Sequence, residues 1–361
     1  MNQALLSYLK ESGEALISYY QKNPPFSLEP EELLEGTFVY FLRGGKRLRP
    51  AICRLAAGIL GGDEAERAAV PCALALELYH NWTLIHDDMI DHDDTRRGKK
   101  AVHRLIADRF APSFPHSSEE YGWDVALLAG DALHSAAVSY LSQLSDSGFV
   151  PPAVTLKILS LLEGEYGPRL ISGEMIDTKN GLLYGSGAFY SLTEEEVIHM
   201  MAGKTGALFG ISALSGALIG SQGKEASLRE CLALRDFAEN CGIAFQLQDD
   251  ILGVTSTEEK LGKPIGSDLR EGKPTVLLLH SYDTATPDQQ EFLRNTVGKS
   301  KNEEEILKAR EILLAGEGIP YTEALAARYL DRAKEALALL PPSPRTELLE
   351  SWRSFMLKRE M

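Results

Sequence analysis

The chain has 361 residues, 44% hydrophobic and 25% charged, with 31 glycines and 17 prolines; this is globular usage and excludes collagen-like and low-complexity disordered chains. A formal net charge of −15 excludes nucleic-acid binding through bulk charge, so any basic cluster has a local purpose. Cys53, Cys72, Cys231 and Cys241 form no C-x-x-C pair, and the start, MNQALLSYLK, has no basic-then-apolar leader; both point to a cytoplasmic chain in a reducing compartment.

Apolar residues recur at i, i+3, i+4 and i+7 and predict helices over 5–20, 33–42, 65–90, 125–144, 154–171, 197–219, 228–254 and 322–340. Prolines at 24–25, 50, 151–152 and 341–342 punctuate them, with Pro50 expected in a first helical turn. Residues 111–122 and 180–191 read as loops. Residues 205–223 carry no charge and are long enough to cross a bilayer, but five glycines and three serines make them a close-packed buried helix instead, so no transmembrane segment is expected. No repeat and no linker divides the chain. The expected fold is all-α, a single-domain bundle of ten or more helices over residues 1–361.

The chemistry begins at His86-Asp87-Asp88-Met89-Ile90-Asp91, the end of an apolar helix. Asp87 and Asp91 are four apart and share one helix face. Carboxylates repel there and suit a helix C-terminus poorly, and a divalent cation removes both costs. Mg²⁺ takes one or two carboxylates and completes its shell with water and phosphate oxygens. A second apolar helix ends in Asp249-Asp250, and Asp268 follows in Gly266-Ser267-Asp268. Basic residues cluster at Lys46-Arg47-Leu48-Arg49, Arg96-Arg97 and Lys204, with Lys263 and Lys273 flanking Asp268. Lys204-Thr205-Gly206 reads as a helix start, where free N–H groups favour anions. Carboxylates for Mg²⁺ beside cations for the remaining phosphate oxygens describe a diphosphate site.

GGKRLRP at 44–50, LIHDDMIDHDDTRRG at 84–98, LLAGDAL at 127–133, KTG at 204–206, FQLQDDILG at 245–253 and GKPIGSDLREGKPT at 262–275 together resemble the trans-isoprenyl diphosphate synthases, over roughly residues 30–360. The resemblance implies a helical bundle around a deep apolar pocket, the isoprenoid synthase fold, and head-to-tail condensation of isopentenyl diphosphate with an allylic diphosphate. It implies Mg²⁺ as cofactor, with three ions in the substrate complex, and a homodimer. Asp87, Asp91 and Asp249 are expected to bind the metal, with Asp88, Asp250 and Asp268 supporting them directly or through water. Arg96, Lys204, Lys263 and Lys273 are expected on the allylic diphosphate, and Lys46, Arg49, His80 and Arg97 on isopentenyl diphosphate. Thr205 and Gln246 fall where the family places dipoles near the allylic cation.

Two positions depart from the family pattern: Gly253 where a third Asp is common, and Glu174 where many members have Gln. Trp82, Tyr79 and Ala75 form a helix stripe roughly 60° wide before Asp87. A large aromatic at Trp82 resembles short-chain enzymes, so the expected product is C15 to C20, with geranylgeranyl diphosphate favoured. Three other readings stay open. Glu77-x-x-His80 and Glu196-x-x-His199 match the spacing of di-iron carboxylate proteins. A class I terpene cyclase shares the first acidic motif but needs no second cationic diphosphate site. A silent partner subunit of a synthase is the non-enzymatic reading.

Overall fold

A computed structural model describes residues 3–185, 191–256 and 266–357. Helices dominate it. In chain order they are α1 (Gln3–Lys22), α2 (Glu31–Leu42), α3 (Leu48–Ala68), α4 (Val70–Ile90), α5 (Val102–Phe110), α6 (Ser118–Ser142), α7 (Pro152–Leu161), α8 (Gly167–Gly185), α9 (Glu194–Met201), α10 (Ala207–Ser221) and α11 (Leu228–Thr255). Helices at Ser267–Glu271, Val276–Thr284, Pro287–Thr296, Glu303–Ala315, Gly318–Leu337 and Pro344–Leu357 follow. A hairpin pairs Thr95–Arg96 with Lys99–Lys100, antiparallel.

The chain forms two compact units. The first comprises Met1–Glu165, Leu208–Arg235 and Leu339–Ser351. α4 is its central helix: every residue from Cys72 to Tyr79 is buried, so the helix is enclosed on all sides rather than along one stripe. It packs on α1, α2, α3 and α6. Leu74, Leu76 and Leu78 have no exposed surface, and each contributes about 1.5–3 kcal/mol by leaving water. α10 lies directly on α3. A Cβ at Gly216 would fall 1.9 Å from the Cys53 carbonyl oxygen, and one at Gly220 2.4 Å from that of Ala57. Gly216 and Gly220 therefore serve backbone contact between helices. Two helical segments, Ser118–Ser147 and Glu194–Ser221, are long and apolar enough to cross a membrane, and the second is 78% buried within the protein. Glu66 ties distant parts of this unit together, accepting from Tyr8 Oη at 2.7 Å and from Arg345 Nε at 2.7 Å.

The second unit comprises Tyr166–Ala207, Asp236–Ala338 and Trp352–Met361. Thr193 and Glu196 form a reciprocal capping box that starts α9. Arg310 Nε donates to the Val254 carbonyl at 2.6 Å and satisfies an orphan acceptor at the end of α11.

The expected all-α fold is present, with four local corrections. The helix expected over 65–90 is two helices, because the chain breaks at Ala69 and restarts with a proline in the first turn of α4. The loop expected over 111–122 ends at Ser117: Glu119 and Glu120 suit the positive N-terminal end of α6, so that helix starts early. The loop expected over 180–191 is helical through Gly185, and 186–190 lie outside the described residues. The helices expected over 154–171 and 197–219 each contain a π-helical turn, at Leu162–Tyr166 and Ala202–Gly206.

Candidate active site

α4 carries the first acidic group. Asp91 N donates to the Asp87 carbonyl at 2.8 Å, so the two side chains stand one helical turn apart, as their spacing predicts. The hairpin returns Arg96 to them: its Nε donates to Asp88 Oδ1 at 2.6 Å and its Nη2 to Asp87 Oδ2 at 2.8 Å. The guanidinium relieves the repulsion that three aspartates at a helix end create. Asp88 turns inward and is 1% exposed. The Tyr40 hydroxyl donates to its Oδ2 and in turn accepts from Val102 N at 3.1 Å. Burial pushes the Asp88 carboxyl up to about 6 and Asp87 adds to the shift, while Arg96 and Tyr40 oppose it. Asp87 and Asp91 are half-buried and Asp88 anchors the helix end behind them.

The same hairpin aims Arg97 elsewhere. Arg97 and Gly98 have φ of +54° and +71°, the signature of a two-residue type I′ turn. An arginine in this conformation costs about 1 kcal/mol or more. Its Nη1 donates to the Gly44 carbonyl. Gly45 is required here by its φ of +152°, and a Cβ would also lie 2.6 Å from that Nη1. Arg47 closes the loop structurally, donating to the carbonyls of Gly13 at 3.1 Å and Phe41 at 3.0 Å. Arg49 stacks over Phe209 at 4.3 Å, and its buried Nε has no hydrogen-bond partner. Burial pulls the Arg49 guanidinium down to about 10 while Glu77 holds it up, so it stays charged at neutral pH. His80 stays neutral: burial, then Arg49, Arg97 and Arg96, hold its pKa well below the usual range. Lys46 lies exposed in the same loop.

The sequence marks Glu77 only by the di-iron spacing, and the structure gives it a different role. It is 3% exposed and is the counter-charge for Arg47, Arg97 and Arg49, while burial raises its own pKa. Replacing it (Glu77→Gln) leaves a buried cationic group uncompensated and should lower stability by about 3–5 kcal/mol. Urea unfolding would read this as a lower midpoint at constant slope. A midpoint unchanged from the parent would contradict the role. The di-iron reading fails on the same observation, because Glu77 faces arginines, and Glu196 is spent on its capping box.

The second unit holds the other group. Lys204 is not at a helix start, as expected, but in the π-helical turn between α9 and α10, because the helix begins earlier at the Thr193 cap. α8 approaches this turn backbone to backbone. A Cβ at Gly173 would fall 2.3 Å from Lys204 N, and one at Gly203 2.9 Å from the Arg169 carbonyl oxygen. Lys204 Nζ thereby reaches Glu174 Oε1 at 3.0 Å and Asp177 Oδ2 at 2.7 Å. Glu174 is thus an ion-pair partner of Lys204. Asp177 escaped notice in the sequence, although its i, i+3 spacing from Glu174 places both on one face. Thr205 Oγ1 donates to Gln246 Oε1 at 3.1 Å, and Gln246 Nε2 donates to Asp250 Oδ1 at 3.1 Å. Asp250 is 7% exposed, and its Oδ2 is buried with no hydrogen-bond partner. Burial, then Asp268 and Asp177, raise its pKa well above the carboxylate range. Asp249 is half-buried beside it on α11. Lys273 Nζ pairs with Glu271 Oε2 at 3.1 Å. Lys263 lies outside the described residues.

An orphaned buried carboxylate oxygen and a donor set of hard oxygens fit Mg²⁺. Among the described residues, no three His, Cys, Asp or Glu side chains form a ready-made metal cage.

The family model described as Polyprenyl synthetase matches residues 31–313. The chain belongs to this family. It is a trans-prenyltransferase with the all-α isoprenoid synthase fold. The geranylgeranyl diphosphate synthase of Saccharolobus solfataricus is 35% identical over 320 residues, 87% of this chain and 86% of that one. The crystal structure of geranylgeranyl pyrophosphate synthetase from Pyrococcus horikoshii matches with a TM-score of 0.82 at 32% identity, covering 99% of both chains. That of the Corynebacterium glutamicum geranylgeranyl pyrophosphate synthase, complexed with isoprenyl diphosphate and magnesium, matches with a TM-score of 0.84 at 26% identity, covering 98% of this chain and 99% of that one. Within this polyprenyl synthetase, Tyr40, Glu77 and Asp177 are the partners that hold the motif residues in place.

Proposed function

We propose that this enzyme condenses isopentenyl diphosphate with C5 to C15 allylic diphosphates, giving a trans prenyl diphosphate of C15 to C20, geranylgeranyl diphosphate foremost. One observation carries the reading. The first unit brings together two groups suited to phosphate, an acidic helix end at Asp87 and Asp91 and a cationic cluster of Arg49 and Arg97 around neutral His80. A terpene cyclase needs only the first.

Asp87, Asp91 and Asp249 would hold Mg²⁺, three ions in the substrate complex, supported by Asp88, Asp250 and Asp268, and the bound metal supplies Lewis-acid stabilisation of the leaving diphosphate. Arg96, Lys204, Lys263 and Lys273 are assigned to the allylic diphosphate. Arg96 and Lys204 are held by carboxylates, which pre-orient them and are exchanged for phosphate oxygens on binding. Lys46, Arg49, His80 and Arg97 are assigned to isopentenyl diphosphate. The allylic C1–O bond breaks and its electron pair leaves with the diphosphate. The double bond of isopentenyl diphosphate attacks C1, and the released diphosphate takes the proton. The Thr205–Gln246–Asp250 chain fixes the orientation of the Gln246 amide, so its dipole needs no reorganisation as positive charge develops. Trp82 and Tyr79 are assigned to limiting the tail.

We read the chain as one domain acting in a homodimer, located in the cytoplasm. Leu127 and Leu128 on α6 and Leu156 on α7 are 48%, 53% and 66% exposed, apolar side chains that a second copy would cover. The four cysteines are buried free thiols, which suits a reducing compartment.

Labelled isopentenyl diphosphate, incubated with C5, C10 or C15 allylic diphosphates and Mg²⁺, should give products of C15 to C20 by chromatography. EDTA should abolish turnover and added Mg²⁺ restore it. Products of C30 or longer would sink the chain-length assignment. No condensation with any starter would favour a silent partner subunit.

A further inference from the structure

Two carboxylates face Lys204, and they are held differently. α8 presses its backbone on the π-helical turn at Gly173, so Glu174, the next residue, is delivered beside the lysine. Glu174 brings both oxygens to Lys204 Nζ, each at 3.0 Å, and Asp177 brings one at 2.7 Å. The Asp177 side chain is 11% exposed and that of Glu174 18%. The shorter, more enclosed aspartate has one torsion fewer and holds its place, whereas the glutamate swings outward by turning its extra bond. Two negative charges thus share one ammonium. An ammonium carries three donors, and a diphosphate oxygen that takes one of them competes with a carboxylate for it. The diphosphate also arrives beside like charge, which costs affinity in a partly enclosed site. Asp177 already supplies one counter-charge to Lys204. An uncharged amide at 174 would still offer the lysine a carbonyl oxygen, so the charge of Glu174 is not what aims it.

We propose that Glu174 is a release residue. Its carboxylate competes with the diphosphate for Lys204, loosens the hold on the allylic substrate and hastens departure of the diphosphate, while Asp177 stays and positions the lysine. The inference rests on the assignment of Lys204 to the allylic diphosphate. It has a distinctive sign: removing the charge at 174 tightens binding, whereas loss of a residue that merely supports the site would weaken it.

Inorganic pyrophosphate, with saturating Mg²⁺, is titrated calorimetrically into the parent, E174Q, E174A, D177N and K204A. KM values for the C10 allylic diphosphate and for isopentenyl diphosphate are measured beside it, and circular dichroism checks folding. E174Q and E174A should each bind pyrophosphate about 5–20-fold more tightly. They should lower the KM for the allylic diphosphate by a similar factor and leave that for isopentenyl diphosphate unchanged. Inhibition by product pyrophosphate should deepen in step. D177N should weaken binding, because Lys204 loses the partner that aims it. Weaker or parental binding in both Glu174 variants, with K204A also weakened, overturns the release role and leaves Lys204 on the diphosphate. Equal tightening by D177N and E174Q overturns the division of roles between the two carboxylates. Parental binding by K204A removes Lys204 from the diphosphate, and the release role with it.

Discussion

Asp87→Ala is expected to abolish useful turnover while leaving the fold intact. Asp87 is half-buried at the end of α4, one turn from Asp91, and its partner Arg96 is also held by Asp88. Removing it leaves Arg96 paired with Asp88 and lessens repulsion at a helix C-terminus, so the melting temperature should hold or rise slightly. The loss falls on the transition state. Taking away one preorganised electrostatic element costs about 10²–10³-fold in kcat, and a metal ligand should sit at or beyond the upper end. Asp88→Ala is the contrast. It strips the buried Tyr40 hydroxyl and part of Arg96 of their acceptor, and breaking such a pair costs about 3–5 kcal/mol. Two neighbouring aspartates should therefore separate cleanly. One should read out in labelled isopentenyl diphosphate incorporation, the other chiefly in thermal unfolding. Activity within tenfold of the parent for Asp87→Ala would remove it from the metal set.

The acidic and basic clusters were legible because their chemistry is local. Asp87 and Asp91 share a face by spacing alone, and the 3.6-residue periodicity that places them also marks the helices around them. What the sequence hid is the set of partners that come from far along the chain. Tyr40 reaches Asp88 across 48 residues, and Glu77 lies under arginines from two separate loops. Tyr40 has no local pattern that distinguishes it from an ordinary core tyrosine, and the one local pattern at Glu77, its spacing from His80, points away from the arginines it pairs with. Lys204 shows the opposite failure. A Lys-Thr-Gly run resembles a helix start, yet the Thr193 capping box begins the helix earlier, and a π-helical turn then redirects the lysine toward Glu174 and Asp177. Gly253 reads as a departure from the family pattern that removes no principal ligand, and the sequence does not show that Asp268 Oδ2 comes within 2.4 Å of where its Cβ would stand.

Trp82→Ala is expected to lengthen the product beyond C20. Trp82 and Tyr79 meet edge to face with ring centroids 4.8 Å apart, an arrangement that fixes both rings. Tyr79 is 1% exposed, whereas Trp82 is half-buried. Its indole also meets the rings of His86 on α4 at 5.9 Å and His134 on α6 at 5.0 Å. Replacing the indole by a methyl opens space along α4 above Ala75, on the stripe that runs back from Asp87. The cost to stability should stay below the ~3–5 kcal/mol of a fully buried aromatic, because Trp82 is only partly enclosed. His134 then becomes the next obstacle. Its Nε2 pairs with Glu163 Oε2 at 3.0 Å, and that hydrogen bond raises its pKa, so the ring is held in place rather than free to swing aside. The single variant should accordingly add one or two C5 units, and Trp82→Ala with His134→Ala should add more. Chromatography of dephosphorylated products reads both. An unchanged product length at parental turnover in the single variant would take Trp82 out of the tail's path and leave it a core residue.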